Sequence, residues 1–272
     1  MKVITIAIVG ALSLNLAHAE VGIKAVNNQI GLSFGGQNID YVEEDGSGRF
    51  LDSEKGSQPG LKAHYSLQGD RLGIKDLYFK ASYAYFKGMA DYDGFLQYSS
   101  GATTPYTGET HTSSTDAQLK LGKGFQVGLS TQLTPYVAYN YREWERDSSS
   151  DPYGYLEMYS HDAVSVGLLS QYAFTPKLVG SLDLSVGYMF KAQMAIEHSS
   201  YYKFDLGKRP LFILDVGLDY AITNAWHVFG SMQYMQYHYG QSNTIEGPGF
   251  TVYEPSSKSK ILQLYLGAAY AF

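Results

Sequence analysis

From Leu262 to Phe272 every second residue is apolar: Leu262, Leu264, Leu266, Ala268, Tyr270 and Phe272, separated by Gln263, Tyr265, Gly267, Ala269 and Ala271. Side chains on a strand alternate between two faces, so one face here is wholly apolar and the other small or polar. Comparable alternation recurs along the chain, at residues 30–34, 61–67, 77–85, 117–121, 137–141, 164–174, 178–190 and 212–220. A ninth segment is ambiguous, with Val228, Met232 and Tyr234 competing against Phe229 and Met235 for the apolar side. In the first, the parity slips at Gly35-Gly36, which predicts a β-bulge that carries Ile39 and Tyr41 to the apolar face. The fourth resumes at Phe125, Val127 and Leu129 if it continues past Lys123. The count is ten strands, with eight as the alternative.

Most charge within the strands falls on one parity, with Lys123 on the apolar side if the fourth strand continues. Lys80, Lys120, Arg142, Arg146, Asp183, Lys191, Asp215 and Asp219 all share the small, polar side. Lys or Arg on a lipid-facing wall costs about 2–4 kcal/mol near the bilayer midplane, so in a membrane this side is a lumen. A soluble sandwich would show the same period with its faces exchanged. The amino terminus separates the two cases. Met1-Lys2, a mostly apolar run to Leu16 and Ala17-His18-Ala19 form a secretory signal peptide over residues 1–19, too short to span. Residues 20–272 are then the mature barrel. With Lys2 removed, the 20 basic residues fall to 19 against 26 acidic, a formal charge of −7. That balance argues against nucleic acid, and the absence of cysteine excludes disulfides and thiolate metal sites.

Aromatic residues gather at strand ends. Tyr172, Phe174, Tyr220, Trp226, Tyr270 and Phe272 predict one interfacial girdle, and Tyr83, Tyr85, Tyr141, Tyr188 and Phe190 the other. Connections alternate between short turns at 69–73, 175–177 and 223–225 and long polar stretches at 46–58, 88–114, 146–154, 197–209 and 240–257. The reading is an all-β, transmembrane, antiparallel up-and-down β-barrel with short periplasmic turns and long external loops.

Gly267-x-x-Tyr270-x-Phe272 resembles the β-signal of bacterial outer-membrane barrels, which the barrel assembly machinery reads during insertion. That resemblance implies the bacterial outer membrane, with its lipid and lipopolysaccharide as surroundings and Gly267, Tyr270 and Phe272 as the assembly signal. In strand count and topology the chain also resembles omptin proteases and Opc-type adhesins. Omptins carry Asp-x-Asp on the second external loop and Asp-x-His on the fourth. Asp91-Tyr92-Asp93 stands at the first place, and two such carboxylates can hold a water as general base. At the second place the chain has Glu197-His198, with the spacer missing and the acid changed. His198-x-Ser200 also resembles, faintly, the His-x-Ser of lipid A deacylases; solvated loop residues are the favoured reading.

Arg142 and Arg146 would either line an anion-attracting constriction or join an internal salt-bridge network, and the network is favoured. Glu43, Glu44, Asp45, Asp52 and Glu54 read as a solvated acidic loop without EF-hand spacing. Tyrosines at 153–159, 201–202 and 237–239 read as loop contact surface or interfacial anchors. No cofactor or metal is expected. The favoured function is a monomeric, non-enzymatic surface protein that binds an external ligand or host surface, or stabilises the envelope. Narrow channel and omptin-like protease are the alternatives.

Overall fold

A computed structural model describes residues 22–97, 102–151, 154–197, 201–247 and 250–272. The expected signal peptide over residues 1–19, together with His198 and Ser200, lies outside the described residues. Strands are β1 (Gln29–Glu44), β2 (Phe50–Arg71), β3 (Ile74–Gln97), β4 (Thr103–Lys123), β5 (Phe125–Gln126), β6 (Thr131–Asp147) and β7 (Leu156–Thr175). They continue as β8 (Leu178–Glu197), β9 (Tyr201–Gly207), β10 (Pro210–Ala221), β11 (Trp226–Tyr239), β12 (Ile245–Gly247), β13 (Phe250–Val252) and β14 (Ser256–Ala271). Antiparallel pairing runs around the sheet, and β14 closes on β1 in unbroken register from Gln29↔Ala271 to Glu44↔Ser256.

The walls number ten. β9 and β10 both pair with β8 and form one interrupted wall, β5 is a two-residue extension on β6, and β12–β13 is a separate small hairpin. Both termini of the barrel lie at the periplasmic end, where connections are tight. Leu72 and Gly73 close β2–β3 with φ of 52° and 75°. Two successive positive φ values match the twist of the flanking strands.

Below a level marked by Phe34 on β1, the outward face is aliphatic and aromatic. Phe34 and Leu266 are 68% and 72% exposed, and Val166 and Leu218 also face out. A continuous wall of this kind is stable only against lipid. Tyr172, Phe174, Tyr220, Trp226, Tyr270 and Phe272 ring its lower edge, all exposed.

Above that level the hydrophobic phase inverts. On β1, Asn38 and Asp40 face outward while Ile39 and Tyr41 are buried inside at 4% and 0%. No bulge intervenes at Gly35-Gly36, because the register with both neighbours runs straight through it. The predicted slip is therefore corrected: the strand keeps its parity, and the solvent on its outer side changes from lipid to water. The same inversion explains the long stretches read as loops. Much of 50–58, 88–97, 103–114 and 201–207 is strand, raising a water-exposed half above the membrane. Tyr159, Tyr237 and Tyr239 are inside this half with Trp144, Met189, Met194, Phe204 and Leu206, forming one apolar core.

Lys191 is also corrected. It adopts φ 51°, and the register shifts beside it on both neighbouring walls. The bulge turns Lys191 out of the lumen, 76% exposed, to meet the outward Asp162 at 3.1 Å. Ala192 and Met194 then take the inward places. On β11 the ambiguity resolves with Val228 and Met232 outward and Met235 inside; Phe229 faces the lumen against His64 at 5.1 Å.

Candidate functional site

Barrel closure brings inward side chains from all walls into one column, and that column is filled at three levels. At the periplasmic end residues 22–26 make a single helical turn tucked inside the mouth. Ile23 packs on Ala173 and Val179. Asn27 then spans the lumen: its amide donates to Gln68 of β2 at 2.7 Å and exchanges two hydrogen bonds with Gln171 of β7, each 2.8 Å. Just above, His227 meets Asp219 at 2.5 Å.

The middle level holds most of the charges expected from parity. Lys120 pairs with Asp183 at 2.5 Å and lies 4.6 Å above the Tyr136 ring, whose hydroxyl donates to the same carboxylate. Lys80 stands beside Lys120 across the β3–β4 pair. Asp215 accepts from Gln233 at 3.3 Å. Arg142 is bound to Asp116 at 2.5 Å and donates to the Tyr237 hydroxyl at 3.2 Å. Asp116 was not singled out in the sequence, although its parity matches the others.

The upper level centres on Arg146. Its guanidinium reaches Glu157 at 2.7 Å, Glu54 at 3.1 Å and Glu43 at 3.4 Å. It also sits over Tyr41, Trp144 and Tyr159. Hydroxyls complete the shell: Tyr41 donates to Glu43, Tyr159 to Glu254, and Thr110 to Glu54, at 2.6, 2.6 and 2.8 Å. These carboxylates come from β1, β2, β7 and the segment before β14, so only closure assembles them. Glu43, Asp52 and Glu54, read above as loop acids, here belong to strands.

One arginine cannot neutralise this many buried acids. Burial, reinforced by Glu43 and Glu54, pushes Glu157 up to about 7 against the pull of Arg146. Burial, with Glu43 adding, pushes Asp52 up to about 9. Burial also raises Glu254, followed by Glu43 and Glu157. The level therefore holds protons near neutral pH. Among the described residues no group of three or more His, Asp or Glu side chains is arranged to hold a metal ion; Arg146 occupies the centre.

Asp91 and Asp93 lie elsewhere. Both are exposed on the outward face of β3, while the inward places between and beside them belong to Tyr92 and Ala90. At the carboxy terminus, the Phe272 amide donates to Asn28 at 3.0 Å, Phe272 stacks on Tyr65, and Tyr270 meets Trp226 edge-on. A Cβ at Gly267 would stand 2.4 Å from the Leu32 carbonyl oxygen, so the closing seam requires glycine there.

A closed ten-walled barrel with a lipid-facing belt and an aromatic girdle at its lower edge defines an outer-membrane β-barrel, and its location is the bacterial outer membrane. The autotransporter beta-domain family matches residues 16–233, and the chain belongs to that family. Among solved structures, the outer membrane protease OmpT from Escherichia coli aligns with TM-score 0.61 and 11% identity, over 90% of this chain and 97% of that one. That likeness shows the fold alone. The translocator domain of autotransporter NalP from Neisseria meningitidis aligns with TM-score 0.41 and 11% identity, over 98% and 97%. No curated protein matches the chain.

Proposed function

We propose that the protein is a non-enzymatic surface-binding barrel, anchored by its lipid-facing half and presenting its water-exposed half to a ligand or host surface. The observation that carries this reading is the filled lumen: Asn27, the Lys120–Asp183 pair and the Arg146 cluster leave the interior to the protein itself. Transport of solutes needs an open path, which weakens the channel reading. The upper half offers exposed Phe50, Phe95 and Tyr253, rigid apolar contact area of the kind that anchors recognition. In this reading the terminal Gly267, Tyr270 and Phe272 serve the assembly machinery, and lipopolysaccharide surrounds the belt.

Planar-bilayer recording of the refolded protein is expected to show no stepwise conductance; clear steps would restore the channel. Cells displaying Phe50→Ser, Phe95→Ser and Tyr253→Ser together should adhere less to host-cell surfaces than cells displaying the intact protein. Equal adherence would remove the rim from the proposal. Peptide cleavage on whole cells, lost with Asp91→Ala and Asp93→Ala, would instead establish an enzyme.

A further inference from the structure

On the lipid-facing side a furrow climbs diagonally across the wall. Its floor follows successive register partners, Lys120↔Ala138↔Ser165↔Gly187↔Leu211↔Tyr237. Side chains at these positions turn inward or are absent, so the outer surface is bare along the line. Val137, Val166, Val186 and Phe212 form its lower bank, and Tyr139, Val164, Tyr188 and His238 its upper bank. The furrow is an open groove of about 1140 Å³. It begins near the periplasmic end of β4 and ends near the top of β11.

Where the furrow ends, its polarity changes. His238 also borders a second pocket of about 220 Å³, shared with Arg209, Lys258 and Glu44. His238 and Lys258 are direct register partners on β11 and β14. Lys258 is held by Glu44 at 2.7 Å. Among the described residues Arg209 forms no ion pair. A Cβ at position 240 would lie 2.4 Å from an Arg209 Nη, so Gly240 gives that guanidinium its berth. Lys260 continues the basic face on β14, toward the belt.

We infer that furrow and pocket together bind one phosphorylated acyl lipid of the outer leaflet, its phosphate held by Arg209, His238 and Lys258 and an acyl chain lying in the furrow. A guanidinium fork and an ammonium match a phosphate's oxygens, and such bonds strengthen away from bulk water. The acyl chain gains no hydrophobic energy, since it leaves lipid for an equally apolar wall. Close packing in the furrow orients it. Selectivity therefore resides in the phosphate.

The test uses the folded full chain in detergent micelles, offered bis-phosphorylated lipid A, the same lipid without phosphates, or inorganic phosphate, with retention read by native mass spectrometry. The phosphorylated lipid should be retained about tenfold over the other two, the order expected for two charge-assisted contacts. Arg209→Gln with Lys258→Gln should abolish that preference, and Glu44→Gln, which frees Lys258, should increase retention. Val186→Trp narrows the furrow without touching a charge and should reduce it. All four positions are on the outer surface, and heat-modifiable migration checks that each variant is folded. Equal retention with and without phosphates, or no response to the Arg209/Lys258 pair, overturns the site. Binding of inorganic phosphate as tight as that of the lipid overturns the lipid assignment, and indifference to Val186→Trp overturns the furrow's part.

Discussion

Arg146 is the residue on which the upper level depends. It is the cation among Glu43, Glu54 and Glu157, and Glu54 is itself 1% exposed. Removing one member of a buried ion cluster typically costs about 3–5 kcal/mol, because the remaining charges stay desolvated. Arg146→Met should therefore lower the urea midpoint of the refolded barrel at pH 7.5, and the loss should shrink at pH 5, where the acids can protonate instead. An equal loss at both values would contradict the cluster. The intact protein also carries a pH signature. Glu157 and Asp52 have folded-state values raised above the ordinary carboxyl range. Each binds its proton in the fold after the unfolded chain has released it, so its contribution is complete below about pH 4 and fades as pH rises through the folded value. Stability of the upper half should thus decline from about pH 4.5 toward 7 for Glu157, and onward to 9 for Asp52. Limited proteolysis of the exposed hairpins at pH 5, 7 and 9 reads this directly; protection that increases with pH would refute it.

At the level of strands, the seam between β1 and β14 is the most demanding contact. Gly267 lies against the Leu32 carbonyl and Ser33, with backbone rather than a flexible side chain in the way. Gly267→Val should prevent closure and reduce the heat-modifiable fraction, whereas the neighbouring outward change Leu266→Val should leave it unchanged. Equal folding of both would mean that the seam tolerates separation. Strands were legible in the sequence wherever lipid dictated one face: residues 61–67, 164–174 and 262–272 announce their parity because no polar group can sit on the belt. They were illegible higher up. Tyr159 and Tyr237 face a core while their neighbours face water, a combination that resembles a polar loop, and on β1 the same inversion at Asn38, Ile39, Asp40 and Tyr41 imitates a bulge when every strand is expected to keep one pattern. Lys191 misled for a more local reason, since a single left-handed residue exchanges the two faces. The Arg146 cluster was half visible: parity marked Arg146, but its carboxylates sit on separate walls that only ring closure unites.

For the molecule as a whole, the three fillings are redundant. Deleting residues 20–28 removes Ile23 and Asn27 but leaves the Lys120–Asp183 and Arg146 levels in place. The truncated barrel should therefore remain silent in planar bilayers. Sustained conductance after this deletion would show that the amino-terminal turn alone seals the pore. The stretch that matches the autotransporter beta-domain family, residues 16–233, contains Asn27, the Lys120–Asp183 pair and Arg146 as well as most of the wall. The inversion of phase near Phe34 and Asn38 has a mechanical consequence. Sliding the barrel outward by one residue pair would lift Phe34 on β1 and Leu262 on β14 toward water, at about 1.5–3 kcal/mol for each large side chain exposed. Sliding it inward would press Asn38 and Lys260 toward hydrocarbon. The boundary acts as a two-way draught line, so a load on the external hairpins is resisted by the position of the belt itself.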